Sequence, residues 1–79
     1  MSTEERVFEL IRQQAGIEGA MSADQSFSAD YGFDLLDNVE MLMAIEDEFG
    51  IEISAWAAQE IGTVAEAIAL VDRLVGEQA

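Results

Sequence analysis

Residues 32–49 read GFDLLDNVEMLMAIEDEF. From Leu35 to Phe49 the apolar positions repeat at helical spacing, and Gly50 offers a stop. Placed on a wheel at about 100° per residue, Met41, Leu42, Ile45 and Phe49 fall within about 100°, the width of an ordinary core stripe. Asp37, Glu40, Asp47 and Glu48 fall roughly opposite, while Leu36, Val39 and Met43 occupy a third sector between core and acid. The apolar arc is wider than one core contact needs. Excess apolar surface beside a row of carboxylates suggests docking onto a basic partner with a greasy centre. Two plainer readings stand beside it. The third sector can pack against the preceding loop, and the acids can form a solvated face, with Asp34 and Asp37 favoured near the helix start by the macrodipole. No specific divalent-cation ligand set is visible.

Upstream of this helix, Ser2-Thr3-Glu4-Glu5 fits a capping box, in which the Ser2 hydroxyl takes a free amide and Glu5 reaches back. Val7, Leu10, Ile11 and Gln14 follow at helical spacing, and Gly16 ends a first helix over residues 3–15. Phe8 lies off the core stripe and is expected to be partly exposed. Residues 16–34 have little periodicity. So long a loop needs anchors of its own, and Ile17, Met21, Phe27 and Tyr31 are the candidates. A calcium loop over 24–35 is rejected, because its sixth position is Ala29 instead of Gly and its twelfth is Leu35 instead of Glu.

Downstream, Ile51-Glu52-Ile53 alternates like a strand that has no partner, and is read as an extended connector whose isoleucines enter the core. Ala55–Glu60 is a short helix at most. Thr63-Val64-Ala65-Glu66 is a second capping box, and Val64, Ala67, Ile68, Val71, Leu74 and Val75 carry a last helix to about Gly76. The expected fold is all-α, a small four-helix bundle over residues 1–79 with three main helices, one short helix and a long first loop.

Charge is the outlier. Seventeen acids stand against three arginines, with no Lys, His or Cys, for a net charge of −14. Such a surface repels nucleic acid and anionic membranes and favours basic protein surfaces. The usual catalytic bases and nucleophiles are missing, so the chain is read as not an enzyme. An acid-only hydrolase needs two carboxylates across a cleft, whereas these line a convex helix face. No apolar run is long enough to span a membrane, and the acidic, polar N-terminus is unlike a signal peptide, so the cytoplasm is the expected compartment. Without disulfides or a thiolate metal site, the core must come from helix packing.

Several stretches together resemble the acyl carrier protein family: Ser2–Val7 its opening, Ser26-Phe27 its loop anchor, Val39–Ile53 its second helix and exit, and Ile61–Val64 the approach to its last helix. Length, acidity and helix order agree. The resemblance implies a carrier in fatty acid or polyketide-like biosynthesis, whose second helix docks on basic patches of acyl-processing enzymes. With the wheel, it makes Leu36, Asp37, Val39, Glu40, Met43, Asp47 and Glu48 the candidate docking residues, and Trp56 joins them as apolar surface near that edge. It also implies an acyl chain held as a thioester on 4'-phosphopantetheine, attached at a Gly-x-Asp-Ser-Leu motif.

Here that motif reads Gly32-Phe33-Asp34-Leu35-Leu36. Asp34 and Leu36 match the family; Leu35 stands where the serine belongs and has no oxygen to form a phosphodiester. Ser26 and Ser28 lie in the loop, and Ser54 lies beyond the far end of the helix, about 20 Å or more away at 1.5 Å per residue. The chain is therefore expected to be arm-less at the family's site. Three readings of Leu35 remain: a natural carrier-like protein that kept its docking surface, as an interaction or regulatory subunit; an ordinary carrier whose serine was substituted; and a sequence error. Phe33 and Ala55-Trp56-Ala57 also depart from the family, which has a small residue at the first position and acids at the others. They favour the first reading, with Phe33, Leu35 and Trp56 adding apolar surface near the docking edge. Trp56 alone reads better as a core plug under the short helix than as an exposed anchor. The chain is expected to be a monomer, with self-association through the apolar patch as the alternative.

Overall fold

The computed structural model describes residues 2–78 and contains four helices: α1 Thr3–Ala15, α2 Leu35–Phe49, α3 Ala55–Gln59 and α4 Val64–Gln78. The all-α expectation holds, with one isolated bridge between Ser26 and Thr63. Each long helix begins as its sequence dictates. Ser2 Oγ accepts the Glu5 amide at 3.1 Å while Glu5 Oε1 accepts from the Ser2 amide. Thr63 Oγ1 and Glu66 Oε1 repeat that exchange at the start of α4.

α4 runs past Gly76 to Gln78, two residues beyond the expected stop. A glycine inside a helix costs about 1 kcal/mol relative to alanine, which weakens a helix but does not end it. Past it, Gln78 Nε2 donates to the Gly50 carbonyl at 2.9 Å and ties the helix end to the turn after α2.

α1 packs against both α2 and α4. The core gathers Val7 and Ile11 from α1, Met41 and Ile45 from α2, and Val64, Ala67 and Val71 from α4, with Phe27, Phe33 and Ile51 from the connections. Ile51 is buried and Ile53 packs on the cluster, as the connector reading requires. Phe8 and Leu42 are half-buried.

The long loop is pinned by its backbone as well as its side chains. The Phe27 amide donates to the Gly62 carbonyl, and the amides of Val64 and Ala65 donate back to the carbonyls of Gln25 and Ala23. Phe27 is buried and Met21 and Tyr31 pack on the core, whereas Ile17 is half-buried and outside that cluster.

The C-terminal turn of α2 is held from another helix. Its last turn carries Glu46, Asp47 and Glu48 and no cation. Arg6 of α1 supplies one: its Nη2 lies 2.6 Å from Glu48 Oε2 and 3.0 Å from the Glu48 carbonyl. The same guanidinium sits 4.3 Å over the centroid of Phe49, whose ring is half-buried, not fully enclosed as the wheel suggests.

Candidate functional site

The first turn of α2 is fixed by local chemistry. Gly32 takes a left-handed φ of 66°, which turns the loop into the helix. Asp34 is the N-cap: its Oδ1 accepts the Asp37 amide at 2.9 Å, and Asp37 Oδ2 accepts the Asp34 amide at 3.1 Å. Leu35 is therefore the first helical residue, and its side chain is 79% exposed.

The Asp37 amide above all holds the Asp34 carboxyl below its ordinary value of 3.8, with further help from the Leu36 amide. A carboxylate depressed in the folded state gives stability that is present above its unfolded value and lost as pH falls through its folded value. Asp34→Asn keeps the cap and removes the charge. The stability advantage of the native chain over Asp34→Asn is expected at neutral pH and gone by about pH 2. Thermal melts at both pH values check this; a constant gap refutes it.

Leu36, Val39 and Met43 are exposed alongside Leu35, so they do not pack against the loop. Phe33 does not join this edge. It is 7% exposed and stacks on Phe27 with ring centroids 5.7 Å apart, because the Gly32 turn and the Phe33 amide, donating to the Phe27 carbonyl, direct it inward. Trp56 is not a core plug: it is 79% exposed. With only five residues, α3 turns its half-buried Ala57 and Ala58 towards the bundle, and Trp56 lies in a shallow depression with Ser54, Glu60 and Arg73.

The acids differ in their freedom. Asp37 belongs to the cap, Glu40 accepts from Gln14 Nε2 at 3.0 Å, and Glu48 is paired with Arg6. Asp47 is exposed and makes no hydrogen bond or ion pair among the described residues. Ser26 Oγ accepts the Ala29 amide and Ser54 Oγ caps α3, so both hydroxyls serve local turns.

Sequence reasoning missed a groove of about 270 Å³ between α2 and the α3 region, lined by Leu35, Asn38, Val39, Leu42, Ala58 and Ile61 among others. Asn38 Oδ1 is buried there without a hydrogen-bond partner among the described residues. The wheel held the signal, since Asn38 lies only about 20° from Ile45 at 3.6 residues per turn. A reading confined to apolar and acidic positions passes over it.

A small, acidic helical bundle that presents the first residue of a capped second helix to solvent has the build of a carrier domain. Residues 5–71 match the phosphopantetheine attachment site family. An acyl carrier protein of Solidesulfovibrio magneticus is 44% identical over 78 residues, spanning 98% of this chain and 100% of the relative. A solved structure from Mycobacterium tuberculosis, assigned as an acyl carrier protein, superposes with a TM-score of 0.88 at 32% identity, covering 91% of this chain and 97% of that one. The acyl carrier protein of Thermotoga maritima shares the fold, with a TM-score of 0.83 at 22% identity over 98% and 95% of the two chains. The chain belongs to the acyl carrier protein family. Members of that family are carrier domains, not enzymes, and work with acyl-processing enzymes through 4'-phosphopantetheine. No helix among the described residues is long and apolar enough to cross a membrane.

Proposed function

We propose that the chain is an arm-less carrier-type domain of fatty acid or polyketide-like biosynthesis, docking on basic surfaces of acyl-processing enzymes through α2. Its 79 residues act as one domain, as a monomer in the cytoplasm, with neither nucleic acid nor membrane as partner. The two end residues of that span lie outside the described residues. The observation that carries the reading is Leu35: a fully presented first residue of α2 whose side chain is carbon alone. A phosphodiester to phosphopantetheine needs an oxygen at that point, so the residues present do not fit the group. Incubation with a phosphopantetheinyl transferase and coenzyme A is expected to leave the mass unchanged. A gain of one phosphopantetheine on any residue overturns the arm-less reading.

The docking half of the proposal has its own check. Asp47→Lys is expected to weaken binding to a ketosynthase of such a pathway, mainly through a slower association that depends on salt. Stability should change by no more than about 0.5 kcal/mol, since Asp47 is exposed and holds no partner among the described residues. Unchanged binding at low salt would remove Asp47 from the docking surface.

The exposure of Leu35, Leu36, Val39 and Met43 favours one second reading, a regulatory module whose apolar patch binds a dedicated partner or a second copy. Sedimentation across a concentration series tests self-association; a monomer throughout excludes the second copy.

A further inference from the structure

We propose that the chain occupies the carrier-docking face of a phosphopantetheinyl transferase without being modified, and so acts as a competitive decoy for competent carriers. The inference rests on the arm-less reading above. The start of α2 keeps an ordered, exposed presentation. The Gly32 turn and the reciprocal Asp34–Asp37 cap fix the start of α2, and residue 35 points to solvent. At that position the accepting oxygen is absent.

Charge identifies the kind of partner. Leu35, Leu36, Val39 and Met43 form an exposed apolar strip, and Glu40 and Asp47 border it on the same helix. α2 itself carries no cation, and two of the three arginines are engaged elsewhere: Arg6 is held by Glu48, and Arg12 by Glu9 and the Gly19 carbonyl, while Arg73 lies on α4 beside Trp56 and Glu60. An enzyme that holds coenzyme A must place cationic groups around its phosphates, and those groups complement an acidic helix beside the reaction centre. A second copy of this chain offers the opposite, since −14 meets −14. Binding energy from such a surface is realised in the ground state. Without a group to accept the transfer it yields occupancy and no turnover, which is inhibition.

The experiment measures transfer from coenzyme A to a competent acyl carrier protein by a phosphopantetheinyl transferase, with the chain added as inhibitor. The expected result is a raised apparent KM for the carrier at unchanged kcat. The inhibition constant should lie within about tenfold of the carrier's KM, the spread that a change of one contact covers. Leu36→Asp removes apolar surface while placing an acid where the helix dipole accepts it, so the variant should melt normally. It is expected to weaken inhibition at least about tenfold, as loss of a central apolar anchor does. Absence of inhibition, a fall in kcat alone, or inhibition untouched in a folded Leu36→Asp would overturn the decoy. A chain that stays unmodified yet fails to inhibit sinks only the decoy; a chain that gains mass sinks the arm-less reading with it.

Discussion

Leu35→Ser is expected to turn a chain that gains no mass into one modified to completion by a phosphopantetheinyl transferase and coenzyme A. The change is all-or-none, because what is missing is an atom and not an affinity. The scaffold tolerates it. Leu35 is 79% exposed, so little buried apolar surface is lost, and serine trails leucine in helix propensity by only a few tenths of a kcal/mol. The Asp34–Asp37 cap does not involve the Leu35 side chain. Intact-mass measurement gives the answer, with circular dichroism confirming the fold. A folded Leu35→Ser that stays unmodified would mean that the surface along α2, including Leu36 and Glu40, has ceased to be recognised.

Phe27→Ala is expected to bring the domain to the edge of unfolding. Phe27 is 2% exposed and lies among Phe33 and Tyr31, with centroids 5.7 and 6.3 Å away. Removing a buried phenyl ring costs about 3–5 kcal/mol. At 0.05–0.15 kcal/mol per residue, the whole domain holds on the order of 4–12 kcal/mol. The Phe27 amide, which alanine retains, bonds the Gly62 carbonyl just before α4, so the loss falls on the ring's packing alone. Phe49→Ala should cost less, because that ring is half-buried. Thermal melts compare the two; a near-normal melt for Phe27→Ala would show that the loop does not depend on its aromatic cluster.

The helices were legible because their signals are local. Capping boxes at Ser2 and Thr63, stop glycines at 16 and 50, and the stripe through Met41 and Ile45 each lie within a few residues of what they specify. The apolar excess on α2 was legible too, and Leu36, Val39 and Met43 are exposed. What failed depended on packing that the local pattern of residues does not encode. Phe33 looked like surface because nothing near it says that Phe27 waits beneath. Trp56 looked like core because its size suggests burial, while the shortness of α3 leaves no face to bury it. Glu48 looked like a free docking acid because Arg6 is 42 residues away.

That last contact bears on how α2 could be used elsewhere. α2 ends in three acids that oppose its own dipole, and the compensating charge comes from α1. Helices of about 12–15 residues are marginal alone in water even without such opposition. A synthetic peptide copying residues 32–50 would therefore be largely unfolded, and grafting that segment onto another scaffold would also require a substitute for Arg6. α2 is not portable; its shape is on loan from the rest of the domain.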